Sequence, residues 1–131
     1  MAQVAWMSEA WAAAAASTTP ALPEVAGAEG TVSLAVSAGR REESGFHWRY
    51  EGGKPLVGSA GIDASADLVL LLAADDALAF FKGEVEPSVA FMRGRLKASG
   101  DGGLLLGFLK STELEGFELW RRQVAALAGD S

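Results

Sequence analysis

The chain has 131 residues, 50% of them apolar and 21% charged, with a formal net charge of −6 and no cysteine. That length can bury a core without metal or disulfide, and the missing thiols exclude disulfide frameworks, thiolate catalysis and cysteine-ligated zinc. The acidic balance argues against nucleic acid, whose phosphates are neutralised by surplus Lys and Arg, and leaves at most weak contact with an anionic membrane surface.

One domain over residues 1–131 is expected. The opening MAQVAWMSEAWAAAAAS lacks a basic n-region and carries Glu9, unlike a secretory signal. No later run approaches the roughly 18 apolar residues of a membrane span. These features predict a soluble, cytoplasmic protein, an environment with which the lack of cysteine is compatible.

Val4, Met7 and Trp11 share a helical face and lead into the alanine run Ala12 to Ala16, so a first amphipathic helix is predicted over 2–17, ended by Pro20 and Pro23. After a Pro/Gly/Ala connector, Val32, Leu34 and Val36 alternate with Thr31, Ser33, Ala35 and Ser37 as in a half-buried strand. Phe46, Trp48 and Tyr50 alternate with His47, Arg49 and Glu51 in a second strand with an aromatic face. Lys54 to Ala60 is a weaker third strand, and the continuously apolar Asp67 to Ala73 predicts a central strand covered on both sides. The spacings favour hairpins over crossover helices.

Asp75 is placed as the N-cap of a short helix through Lys82 that Gly83 stops, and Pro87 starts another that Gly94 closes. Arg95 to Ser99 is a fifth strand, and Gly100 to Gly103 turns the chain into the leucine-rich helix Leu104 to Leu109. Phe117, Trp120, Val124 and Leu127 mark a last amphipathic helix over 116–128, with Glu118, Arg121 and Arg122 assigned to its outer face.

Little in this pattern performs chemistry. His47, the single histidine, falls on the polar side of its strand with no carboxylate or nucleophile placed around it. Asp75 and Asp76 fit a helix start better than a catalytic pair. Gly100-Asp101-Gly102-Gly103 lacks the Lys-Ser/Thr of a phosphate loop and reads as a turn. No catalytic residue, metal site or cofactor is assigned.

The apolar surplus from Ala66 to Thr112 instead predicts a cavity between the sheet and the helices. Its expected lining is Trp48, Leu70, Leu72, Phe80, Phe81, Phe91, Met92, Leu104, Leu105, Phe108, Leu109 and Trp120, with Leu106 in the same apolar run. Arg93, Arg95 and Lys97 form a basic cluster. It has two readings, as head-group contacts for a fatty carboxylate or coenzyme A phosphate, or as a charged strand edge that blocks sheet-to-sheet association. The last helix is expected to close the mouth of the cavity.

The succession Ala66-Asp67, Asp75-Asp76, Lys82-Gly83, Pro87, Ala90-Phe91, Gly94-Arg95-Leu96-Lys97 and Gly100-Asp101 resembles the sterol carrier protein type 2 family, and HWRYEGGKPLVG is similar to that family's second and third strands. The resemblance covers residues 30–112. It implies an α+β fold, a five-stranded mostly antiparallel sheet with helices on one face, and noncatalytic binding or transfer of a fatty acid, fatty acyl-CoA or sterol-like lipid. The alternative is an interaction or accessory module, a homodimer or an enzyme's partner, that buries the same apolar surface against protein.

Overall fold

The computed structural model describes residues 6–38 and 42–127. The alternation read from the sequence builds one apolar sheet face. β1 (Gly30–Ala38) and β2 (Glu42–Glu51) pair antiparallel, with Val32 opposite Trp48 and Leu34 opposite Phe46. Two short strands, β3 (Lys54–Pro55) and β4 (Ser59–Ala60), lie on the far side of β2. β5 (Leu68–Ala73) joins β1 in parallel, and β6 (Leu96–Gly100) pairs antiparallel with β5, giving the order β3-β2-β1-β5-β6. The sheet is therefore mostly antiparallel with one parallel pair at its centre.

Six strands replace the expected five because the predicted third strand divides. Its middle is claimed by the end of the first helix: Gly58 N–H donates to Ala16 O at 3.0 Å, and the Thr19 hydroxyl donates to Leu56 O at 2.7 Å. Gly58 is also held against β2, since a Cβ there would lie 2.3 Å from His47 O.

β5 departs from its prediction as well. Leu68, Leu70 and Leu72 are buried, whereas Leu71 is 37% exposed, so a strand with an unbroken apolar sequence is covered on one face only. The loop from Gly61 to Asp67 crosses the other face beside β1 and β2. There Asp63 N–H donates to the Ser33 hydroxyl (2.9 Å) and His47 Nδ1 meets Gly61 O (2.9 Å). Leu71 lies beyond its reach.

α1 (Glu9–Ser17) starts later than the alanine-rich pattern suggested. Ser8 caps it by accepting from Trp11 N–H at 3.1 Å, and Met7 has φ +67°, which cannot continue a right-handed helix. Val4 and the predicted first turns lie outside the described residues. A 3₁₀ turn follows at Thr19–Ala21.

α2 (Ala74–Phe81) follows β5 without a linker, so its N-cap is Ala73 and not Asp75; Asp75 and Asp76 occupy the first turn, where a carboxylate still faces the positive end of the helix dipole. α3 (Pro87–Met92) begins at Pro87 as expected. Gly83 (φ +80°) and Gly94 (φ +74°) take the left-handed conformation predicted for the two helix stops. α4 (Gly102–Ser111) is capped by Asp101, which accepts from Leu104 N–H at 2.9 Å, and α5 (Glu115–Leu127) completes the helical layer.

Phe117, Trp120 and Val124 of α5 are fully buried. Trp120 stands edge-on to Phe81 at 5.8 Å, and its indole N–H donates to the Thr18 hydroxyl at 3.0 Å, tying α5 to the end of α1. This helix is built into the core and is more than a flap. Thr18→Val leaves that indole donor unpaired and is expected to cost about 1–2 kcal/mol in urea unfolding; an unchanged midpoint would show the bond to be energetically neutral.

Arg121 also departs from expectation: it is 1% exposed. Its Nη1 donates to Phe80 O (3.2 Å) and Val85 O (3.0 Å), its Nη2 pairs with Glu118, and the guanidinium lies over the Phe80 and Phe117 rings at 5.7 and 6.0 Å. Helical spacing assigned it outward, yet the carbonyls where α2 ends and the two ring faces supply the partners that a buried cation needs. Arg122 is exposed as expected.

Candidate functional site

The sheet and the helices enclose one apolar layer, and register shows how β-strand spacing lines it. Phe46, Leu34, Leu70 and Ala98 form one rung across β2, β1, β5 and β6; Trp48, Val32, Leu68 and Gly100 form the next. Tyr50, opposite Gly30, stands at the end of the sheet, beyond Trp48. Above these rungs the rings of Phe80, Phe81, Phe108, Phe117 and Trp120 pack against one another and against Trp48 at centroid separations of 5.4–6.5 Å, largely edge to face.

The expected lining residues fall into three groups. Trp48, Leu70, Leu72, Phe80, Phe81, Phe108 and Trp120 are fully buried, and Leu104 nearly so. A water-sized void beside these side chains would leave accessible surface on them, so no open cavity of the expected kind separates them: they fill the layer. Phe91 and Leu105 pack against its margin, and Leu109 is half-buried. Met92 is 83% exposed, and Leu106 also points outward because Leu104 and Phe108, four residues apart, take the inner face of α4.

Of the clefts lined by described residues, two bear on the expected site. One of about 350 Å³ lies between the connector Val25 to Glu29 and α4, lined also by Asp101, Gly103, Leu104 and Gly107. Leu104 and Ala28 belong both to its wall and to the buried core. The second, of about 230 Å³, holds Arg95 and Lys97 with Ser37, Leu71, Ala73, Asp76 and Gly94. It opens on the face of the sheet away from the helices. Lys97 pairs across from the exposed Leu71, and Arg95 Nη1 is 3.9 Å from Asp76 Oδ1. Arg93 is exposed in the turn before β6. Arg95 and Lys97 are thus on the side of the sheet away from the aromatic layer.

Tyr50 was not among the expected lining residues, although the Phe46, Trp48, Tyr50 alternation placed it on the same face. It is buried, and burial pushes its phenol up to about 12, opposed in part by the neighbouring Trp48 indole N–H. Tyr50 Oη and Trp48 Nε1 are close enough for the indole to act on the phenol, but they do not form a well-made hydrogen bond, and neither atom has another partner.

Among the described residues, no group of three or more His, Cys, Asp or Glu side chains could hold a metal ion, and no helix is long and apolar enough to cross a membrane.

A mixed sheet with helices on one face, enclosing an aromatic layer, has the architecture of the sterol-carrier fold. Residues 12–110 match the model of the SCP-2 sterol transfer family, and the chain belongs to that family. The structure is similar to that of a conserved hypothetical protein from Thermus thermophilus described as possibly a sterol carrier protein. That likeness has a TM-score of 0.70 and 22% identity, over 99% of this chain and 97% of the other. It is also similar to a crystal structure of sterol carrier protein 2 (TM-score 0.66, 23% identity, 88% and 97% coverage) and to palmitated SCP2L2 from Aedes aegypti (TM-score 0.55, 19% identity, 66% and 74% coverage). In sequence it is 42% identical over 67 residues to hydroxysteroid dehydrogenase-like protein 2 of Xenopus tropicalis, a match that takes in 50% of this chain and 16% of the relative's length.

Proposed function

We propose that this chain is a noncatalytic lipid carrier whose ligand, a fatty acid, fatty acyl-CoA or sterol-like molecule, inserts between the sheet and the helices. The observation that carries this reading is the aromatic layer itself, enclosed on one side by the sheet and on the other by short helices whose margin residues Phe91, Leu105 and Leu109 are half-open. Family membership and the palmitate named for the Aedes aegypti relative support it. Because the layer is filled, binding requires α3 and α4 to move outward and the rings to re-pack around the guest. Each buried methylene contributes about 0.8 kcal/mol, so a chain of about a dozen carbons can offset that rearrangement and the loss of ligand freedom.

The test is displacement of a fluorescent acyl probe, together with native mass spectrometry of the purified protein. Micromolar binding is expected, and Phe91→Asp or Leu105→Asp is expected to weaken it at least tenfold while leaving the chain folded, since an unpaired carboxylate would face the acyl chain at the margin of the layer. Absence of probe binding would refute the carrier reading.

The dehydrogenase-like relative, of which the match is a small part, favours a second reading as a module working beside an enzyme. Exposed Met92 and Leu106 would then contact the partner. A stable complex that forms equally well with Met92→Lys and Leu106→Lys would remove that surface from consideration.

A further inference from the structure

The aromatic layer carries a polar end that a purely greasy ligand would leave idle. Trp48 Nε1 and Tyr50 Oη lie two residues apart on the inward face of β2, their rings 6.3 Å apart; both atoms are buried, and beyond the weak approach of the indole to the phenol neither has a hydrogen-bond partner. An indole N–H only donates, whereas a phenol both donates and accepts. Leaving such groups unpaired in an apolar setting is costly, and most buried polar groups in native cores are paired; Trp11 Nε1 is unpaired too, but among the described residues only Trp48 and Tyr50 bring two such atoms together.

Their position offers a route. Tyr50 is paired with Gly30, next to Ala28 and Glu29, which line the cleft of about 350 Å³. The opposite wall of that cleft is the start of α4. Leu104 closes it towards the core, and Phe108, one turn on, stands 6.5 Å from Trp48. A small movement of α4 would join the cleft to the two orphaned atoms.

We propose that Trp48 Nε1 and Tyr50 Oη form the polar end of the lipid site and bind an uncharged oxygen, the hydroxyl of a neutral lipid, in preference to a fatty carboxylate. Trp48 donates to that oxygen, and the Tyr50 phenol accepts the ligand's hydroxyl proton or donates in turn. Charge selects against the carboxylate: the described side chains lining the cleft include Glu29 and Asp101 and no cation, the Asp101 carboxylate already caps the N-terminus of α4 that faces the cleft, and Arg95 and Lys97 lie behind the sheet. The inference rests on the lipid-carrying reading above and adds to it the ligand's head chemistry and the residues that read it.

The experiment measures displacement of a fluorescent acyl probe by 1-hexadecanol, hexadecanoate and hexadecane, delivered from cyclodextrin at neutral pH. In the unaltered protein the alcohol should bind about tenfold tighter than either of the others, the value of one well-made hydrogen bond. Tyr50→Phe should weaken the alcohol about tenfold and leave hexadecane within about twofold, while raising the urea midpoint of the ligand-free protein, because it removes an unsatisfied buried hydroxyl. Trp48→Phe should show the same selective loss, scored only if its unfolding stays cooperative; Tyr50→Phe, which deletes a single oxygen, decides the matter otherwise. Equal losses for alcohol and alkane, or tighter binding of the carboxylate by the unaltered protein, would overturn the proposal while leaving the carrier reading intact. Failure of all three ligands to displace the probe would overturn it as well, and failure of the probe itself to bind would overturn both.

Discussion

Arg121→Met is expected to lower the unfolding free energy by about 3 kcal/mol. The guanidinium is buried beneath α2 and makes hydrogen bonds to Phe80 O and Val85 O in addition to its pairing with Glu118. Bonds from a charged donor contribute about 1.5–3 kcal/mol each, and their loss leaves Val85 O without this donor. Two effects temper the loss. Phe80 O keeps a bond from Gly83 N–H at 3.1 Å, and removal of the cation also removes its own desolvation cost, including that of the unpaired Nε. Methionine preserves much of the apolar contact with Phe80 and Phe117, so the variant isolates the polar part. Arg121→Lys should recover only a fraction, because an ammonium lacks the planar fork that reaches two carbonyls while lying over two rings. Urea unfolding decides it: a loss below about 1 kcal/mol would mean that these bonds merely offset the burial of the charge.

The second large effect is alkaline. Tyr50 is the single tyrosine, so phenolate absorbance reports on it alone. In the native protein it should titrate near 12 and not near the ordinary 10.0, because burial disfavours the phenolate. Between those values the unfolded chain releases a proton that the native chain retains, so stability falls as pH rises. The contribution is complete below about pH 10 and is lost on passing through 12, a change of about 3 kcal/mol. Tyr50→Phe should lack this component, which separates it from the lysines that ionise in the same range. A native titration near 10 would show that water reaches the phenol and that the end of the layer is already open.

Much of the fold was legible locally. The alternations in β1 and β2 marked the faces that meet the helices, although Ser33 and Ala35 on the other face of β1 are buried as well, and Pro87, Gly83 and Gly94 marked helix boundaries where their backbone preferences are strong. The family motifs identified the architecture. Of the residues expected to line the site, Trp48, Phe80, Phe81, Phe108 and Trp120 are buried in the layer, as their apolar character alone would place them.

What the tertiary structure decided were matters of competition between segments. The unbroken apolar run of β5 could not reveal that Leu71 lacks a cover, because coverage depends on where the loop from Gly61 to Asp67 crosses the sheet. The division of the third strand followed from the end of α1 and the 3₁₀ turn after it capturing Gly58 N–H and Leu56 O. Arg121 was drawn inward by carbonyls at the end of a helix some forty residues earlier in the chain, a partner no helical wheel contains. Whether the apolar surplus forms a void or a filled layer depends on how rings from distant elements interlock, and it was settled by edge-to-face packing across α1, the sheet and α5. Residue type and spacing determine which side chains turn inward; what each one meets there is fixed only when separate elements converge.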